Sequence, residues 1–411
     1  MKKIFVVLSV ITAVLLMSSS CISKKTSNEI KAEKVRVWLK DSHISGMMDK
    51  IVKQYNENEG SDIGVEVEYK GIDEDEFEKL YSIVYATNSE PEIMSFPYSY
   101  SMRELLKNDW VKPIEVVEGG LQMLRKQDTD CYTFEGKKIA AKLTLSAYRV
   151  VYNKDIFKKC GIVDEYGNAK EPKTWEDVAK FAEIVRNTSD KYGIVLPMKN
   201  EVVFWYNNLI YPFIPAVGEK IENAGESDLS IFKDAFTKFY FKIKNDKSYY
   251  PNPEWIDNNN AQKLFADGEA AMKISSSSDV SFFIGKNIGF DWGAVYISGF
   301  SSVSDSKYVF DNTGYAYFTG AVMKMKNAQK AVNVYAWLTG TEMKNALYKN
   351  NKYIIAEPPN IEKKENNIWE SMEMYDKKFS AENLDRVITD KQKMTRIFSK
   401  MWETGELILP E

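Results

Sequence analysis

The chain has 411 residues, and its 55 Lys and Arg against 59 Asp and Glu leave a formal charge of −4, with no basic block to attract a nucleic acid. A single histidine and three cysteines without metal-ligand spacing argue against a transition-metal centre, and no motif calls for a cofactor. A chain of this length exceeds what one hydrophobic core usually holds, so two domains are expected.

Residues 1–20 read as a secretory leader: Lys2 and Lys3 give a basic start, and an apolar core runs from Ile4 to Met17. Ser19-Ser20-Cys21 resembles a lipobox, in which Cys21 is acylated and becomes the mature N-terminus. Acyl chains on Cys21 would hold the protein at the outer face of the cell membrane without a spanning helix. Residues 21–33, rich in Ser, Lys and Asn, read as a flexible tether.

Residues 34–39 alternate as a strand, and Ile44, Met47, Met48, Ile51, Val52 and Tyr55 then fall at helical spacing. Ile63, Val65, Val67 and Tyr69 alternate in turn, and Asp73 precedes a helix whose inward face is Phe77, Leu80, Tyr81 and Val84. A β-α-β-α start implies an α/β sheet. Pro91 to Phe96 is a further strand, and Tyr98 and Tyr100 follow it at the carboxyl edge of the sheet, where open α/β sheets bind ligands.

The stretch Gly136 to Phe157, GKKIAAKLTLSAYRVVYNKDIF, reads as a crossing from one lobe to a second. Cys131 and Cys160 fall on opposite sides of it; a disulfide between them would restrain lobe motion, so free thiols are expected. Beyond the crossing, Thr174 is placed as an N-cap with acidic residues in the first turn. Trp205, Tyr206 and Tyr211 form the densest aromatic cluster, 229–244 is an amphipathic helix, and 313–323 is a strand carrying Tyr315 and Tyr317.

Several of these stretches carry a family pattern. QYNENEGSDIGVEVEY at 54–69, WVKPI at 110–114, the crossing at 136–157, PKTWED at 172–177, FADGEAAM at 265–272 and GFDWGAVYISG at 289–299 occur in the order and spacing of one family. The chain resembles the bacterial extracellular solute-binding proteins of ABC importers, in their large carbohydrate-binding group. Lys142 and Ile139 depart from the pattern at the crossing, and Ser276-Ser277-Ser278 stand where the family usually places a sugar-stacking Trp.

The resemblance implies an α/β, two-lobed, periplasmic-binding-protein-like fold of type II with the ligand in the inter-lobe cleft. Lobe I is then 34–145 plus 305–345, and lobe II is 146–304 plus 346–411. The implied partners are a small-molecule solute, an oligosaccharide by preference, and ABC permease subunits in the membrane, with the protein itself a monomer and not an enzyme. A peptide, polyamine or organic anion as ligand, or a glycan sensor or adhesin on the same fold, are the rival readings.

Sugars present hydroxyl edges and flat C–H faces, so aromatic platforms and oriented polar groups mark the candidates. Trp38, at the end of the first strand, either faces the ligand or alternates into the core, with Asp41 and Ser42 just beyond it. Tyr98, Tyr100 and Thr144 complete the set, together with the cluster Trp205, Tyr206 and Tyr211, of which at least one is expected in the core and one at the ligand. By resemblance, Tyr148 takes a cleft aromatic's place and Tyr317 that of a frequent Trp, with Tyr315 beside it. Ser277 and Asp279 either bond sugar hydroxyls where the Trp is missing or form a solvated turn. Trp369 and Trp402 are assigned to packing.

Overall fold

The computed structural model describes residues 32–40, 44–95, 100, 102–116, 119, 122, 131–141, 144–225, 228–300, 308–311, 315–317, 328–350, 354–355, 366–373, 377–379, 384–385 and 387–409. The strands in the first part of the chain are β1 (Glu33–Leu39), β2 (Val65–Gly71), β3 (Ile93–Ser95), β4 (Cys131–Phe134) and β5 (Lys137–Ala141). Then come β6 (Thr144–Ser146), β7 (Tyr148–Asn153), β8 (Tyr192–Val195), β9 (Ala270–Ser276) and β10 (Trp292–Val295). The last are β11 (Tyr308–Asp311), β12 (Tyr315–Tyr317), β13 (Ile354–Ile355) and β14 (Lys377–Phe379).

They form three sheets, and the two large ones are the centres of two lobes. The first is six-stranded, in the order β2-β1-β3-β12-β5-β4. In it β1 runs parallel to β2 and β3, while β12 returns antiparallel between β3 and β5. The alternation of β1 buries Val35, Val37 and Leu39 on one face, against Met48, Val52 and Tyr55 of the helix Ser45–Glu57. Its other face meets Phe77, Tyr81 and Val84 of the helix Glu74–Ala86. Helices on both faces of the parallel β2-β1-β3 part of this mixed sheet are what the β-α-β-α reading requires.

The second lobe holds the four-stranded sheet β10-β7-β9-β8. All six residues of β7, YRVVYN, are buried, so both faces of this strand are covered. One face carries the largest core of the protein, which includes Trp175, Trp205, Phe213, Phe236, Phe239, Tyr240 and Phe398. The other packs Phe265, Phe283 and Trp369. Thr174 caps the helix Trp175–Thr188 through a reciprocal capping box with Asp177, as the sequence predicts. Cys131 and Cys160 are not joined by a disulfide.

The third sheet, β13-β6-β11-β14, joins four short segments. Its strand β6 continues β5 of the first sheet and leads after one residue into β7 of the second, so it carries the chain from one lobe to the other. Strand β11 leads back into β12 of the first sheet.

Gly193 of β8 is what allows the helix Trp175–Thr188 to lie close on the second sheet. A Cβ at this position would stand 2.3 Å from Ala182 Cα and 2.4 Å from its carbonyl oxygen, and neither backbone atom can yield. Gly193→Ala is expected to lower stability by about 1–3 kcal/mol, seen as a drop in the urea midpoint with unchanged slope. An unaltered midpoint would show that the helix is free to slide.

Candidate functional site

The lobes meet where the carboxyl edge of the first sheet faces the aromatic side of the second. At the end of β1, Lys40 is held in place by its backbone N–H, which donates to Ser95 Oγ at the end of β3 (3.2 Å). Its nearly buried ammonium lies 2.9 Å from Glu74 Oε1. Glu74 opens the helix Glu74–Ala86, so its carboxylate sits at the positive end of the helix dipole as well as beside a cation. Its second oxygen, Oε2, accepts from Asn207 Nδ2 of the other lobe at 2.7 Å. Asn207 Oδ1 in turn accepts from Tyr148 OH at 2.8 Å. Lys40, Glu74, Asn207 and Tyr148 thus make one continuous polar chain across the cleft.

Asn207 lies inside the π-helical turn Trp205–Ile210, which is continuous with α-helix on both sides. Such a turn places an extra residue in the helix and frees a carbonyl, and it is frequent at functional sites. Here Asn208 O accepts from the buried Tyr240 hydroxyl at 2.6 Å, while Asn208 Nδ2 donates to Phe204 O at 3.2 Å.

Three tyrosines line the second-lobe side. Tyr148 stacks on Tyr211 with centroids 5.4 Å apart and planes at 15°, and Tyr211 meets Tyr206 at 5.7 Å. Lys391 Nζ lies 5.3 Å above the Tyr206 ring and donates to the carbonyl of Tyr100 in the first lobe at 2.7 Å. Tyr100 packs against Trp110 and Tyr81, and its hydroxyl is 2.9 Å from Ser82 Oγ. Burial, with Tyr211, Asp385 and Glu78 nearby, pushes the Tyr206 hydroxyl well above its ordinary pKa, so it stays protonated.

The structure therefore brings Tyr100, Tyr148, Tyr206 and Tyr211 together at the junction of the lobes. Trp205 is placed elsewhere: it is fully buried, its Nε1 donates to Ser399 Oγ at 3.0 Å, and it packs on Phe236, Tyr240 and Phe398. Its ring is core, because the helical register that turns Asn207 to the cleft turns Trp205 inward. Trp38 is partly buried against the core around Phe77 and Tyr81, with Lys70 Nζ 5.2 Å over its ring. Thr144 is buried in β6, opposite Ile355. Trp369 and Trp402 are packing residues. Asp41, Ser42, Tyr98 and Cys21 lie outside the described residues, as do the side chains of Tyr315 and Tyr317 in β12.

Ser277 and Asp279 are corrected more firmly. Both are buried, and Asp279 forms a capping box with Ser276 that starts the helix Ser277–Lys286. Its Oδ1 accepts from Asn258 Nδ2 at 2.9 Å and Gln262 Nε2 at 2.6 Å, and its Oδ2 lies 2.6 Å from the buried Lys273 Nζ. No lone pair remains directed at a ligand. Burial by itself would raise the Asp279 pKa, but Lys273, Asn258 and Gln262 outweigh it and hold the carboxyl below its usual range. Where the family pattern has a stacking Trp, this chain has a buried ion pair.

Lys40, Glu74, Asn207 and Lys391 were not singled out from sequence. The signal for the first two was available, since both sit at the ends of elements on the same carboxyl edge that pointed to Trp38. Asn207 depends on the π-turn, which periodicity does not reveal.

The family profile of bacterial extracellular solute-binding proteins matches residues 50–370. Among solved structures, a protein from work on xylan utilization by the thermophilic bacterium Caldanaerobius polysaccharolyticus superposes with a TM-score of 0.72 at 15% identity, covering 91% of this chain and 97% of that one. The maltose/maltodextrin-binding domain MalE of Bdellovibrio bacteriovorus, bound to maltotriose, gives 0.63 at 18% identity over 92% and 96%. UgpB of Mycobacterium tuberculosis, in complex with glycerophosphocholine, gives 0.66 at 11% identity over 91% and 94%. No curated protein matches the sequence. At these identities the likeness shows the two-lobed fold.

The Lys273–Asp279 pair is structural by its geometry. Replacing one member leaves a buried charge uncompensated, so Lys273→Met is expected to cost about 3–5 kcal/mol. Lys273→Met with Asp279→Leu together should recover most of that loss. Urea unfolding at neutral pH reads both, and a single variant as stable as the double would remove the ion pair from the account.

Proposed function

The chain belongs to the bacterial extracellular solute-binding protein family, and from that membership we propose that it captures an extracellular carbohydrate, an oligosaccharide by preference, for an ABC importer. It works as a monomer tethered to the outer face of the cell membrane through acylated Cys21. The lobes close on the solute and present it to the permease, and no covalent bond is made or broken.

The observation that carries this reading is the polar chain Lys40–Glu74–Asn207–Tyr148 beside the stacked pair Tyr148–Tyr211. A carboxylate held by an ammonium and a primary amide, next to flat aromatic faces, matches what a sugar presents: vicinal hydroxyls at its edge and C–H groups on its face. A sugar entering the cleft exchanges the Glu74–Asn207 hydrogen bond for bonds to its own hydroxyls. Because these groups come from both lobes, a ligand touching all of them favours the closed arrangement over the open one. That difference in affinity is what shifts the population.

A second reading keeps the fold and changes the ligand. Glu74 and Asp75 stand side by side near the tyrosines, a combination that also suits an organic cation, through charge and cation–π contact. UgpB, with its glycerophosphocholine, is an instance of this fold taking a choline ester.

Thermal unfolding of the mature protein with xylo- and malto-oligosaccharides, raffinose, glycerophosphocholine and spermidine separates the readings. A ligand at 100 times its Kd adds about 2.7 kcal/mol to stability, so a binder raises the Tm by several degrees. We expect an oligosaccharide to do so, and Glu74→Gln to weaken its binding by 1.5–3 kcal/mol, about 10- to 100-fold. A response to the cations alone, with every sugar silent, would replace the carbohydrate reading by the second one.

A further inference from the structure

Next to Glu74, Asp75 makes two contacts to the second lobe that sugar recognition does not use. Its backbone carbonyl accepts from Asn200 Nδ2 at 3.4 Å, and its Oδ2 accepts from the backbone N–H of Asn258 at 3.4 Å. Asn200 is the N-cap of the long helix that carries Asn207, and Asn258 is the first residue of the helix Asn258–Ala266. A single first-lobe residue is therefore lodged between the starts of two second-lobe helices.

The charged groups around it come from both lobes. On its own helix Glu74 precedes it and Lys79 follows one turn later, with Lys40 already committed to Glu74. From the second lobe come Asp257 and Lys199, whose ionic groups are 3.0 Å apart, while Asp257 Oδ1 also accepts from Asn260 N at 2.8 Å. When the lobes meet, three carboxylates gather and Asp75 is shielded from water. Only the bond from Asn258 reaches the carboxylate, and at 3.4 Å it is long, so it offsets the loss of hydration only in part.

We propose that Asp75 is a proton-linked latch: closing the lobes takes up a proton on its carboxyl, so mildly acid surroundings favour the closed form over the open one. Burial is the main cause, and with Glu74 and Asp257 it raises Asp75 to about 6 against the opposing Asn258 N–H and Lys79. Opening removes the second-lobe neighbours, which lets the carboxyl move back toward its ordinary value of 3.8. The contribution to closure is fully present below that ordinary value and is lost as the pH rises through about 6. Above this, the charged Asp75 must be desolvated each time the lobes shut. A difference of about two units changes the closing equilibrium by at most about 100-fold.

The latch rests on the two lobes opening and closing, but not on what they capture, so its test uses no ligand. Small-angle X-ray scattering of the unliganded mature protein between pH 7.5 and pH 5 reads the balance of open and closed forms. The wild type is expected to become more compact as the pH falls below about 6. Asp75→Asn, which keeps an acceptor for Asn258 N–H and carries no charge, should be compact across the range. Asp75→Ala, which removes the carboxyl altogether, should also show no pH step. A wild type whose dimensions do not change with pH overturns the proposal. So does a pH step of equal size in both variants. Neither result bears on whether the solute is a sugar, which the thermal-shift panel decides.

Discussion

The arrangement turns on one hydrogen bond, 2.7 Å long, from Asn207 of the second lobe to Glu74 of the first. Each partner is oriented by something the fold supplies at a distance. Glu74 is fixed by Lys40, whose place is set by the end of β1 and by Ser95 of β3. Asn207 is fixed by Tyr148 at the start of β7 and by the π-turn that exposes it. Two separately packed cores thus present single side chains to each other in defined orientations. The bond between them is modest in energy, since a hydrogen bond to a charged group contributes about 1.5–3 kcal/mol. This is the right scale for a contact that must be exchanged for a ligand, where a stronger one would hold the lobes shut.

The connection between the lobes is built to match. Each lobe has a sheet covered on both faces, with large aromatic residues closing the second-lobe core. The chain passes between them through the third sheet, whose strands are two to four residues long. Short strands carry few ladder hydrogen bonds, so a change of backbone angle there costs little compared with disturbing either core. Hinge motion of this kind keeps the lobes rigid and concentrates the adjustment in a few residues.

The fold was largely legible in the sequence, because period-2 and period-3.6 patterns report burial and burial is what sheets and helices share. Residues 34–39, the helix starting after Asp73 and the Thr174 cap all follow from local pattern alone. The cleft was legible only in part. Tyr100, Tyr148, Tyr206 and Tyr211 do gather at the lobe junction, yet Tyr148, Tyr206 and Tyr211 are buried in the same second-lobe core as Trp205. Pattern cannot assign neighbouring aromatics to opposite sides of a helix whose register changes within the cluster. Ser277 and Asp279 misled for a related reason. A polar run after a strand reads as exposed, and only the arrival of Lys273, Asn258 and Gln262 shows that its carboxylate is spent on the interior.

That buried ion pair bears on what the cleft can recognise. The family pattern puts a flat ring where this chain has serines and a capped helix start, so stacking must come from elsewhere. On the proposed function the tyrosines at the junction would supply it, mainly from one lobe, while the facing lobe would contribute Lys40 and Glu74. On that reading a ligand would be gripped asymmetrically, by its face on the second lobe and by its donor groups on the first. Hydrogen-bond donors are what a carboxylate such as that of Glu74 selects for, and hydroxyls, amines and ammonium groups all qualify. What discriminates among them is the cost of leaving a charged acceptor unmatched in a closed, poorly hydrated cleft, which penalises acidic solutes most. On the proposed function the Glu74 carboxylate would therefore disfavour organic anions and leave neutral polyols and cations as the classes between which the cleft chooses.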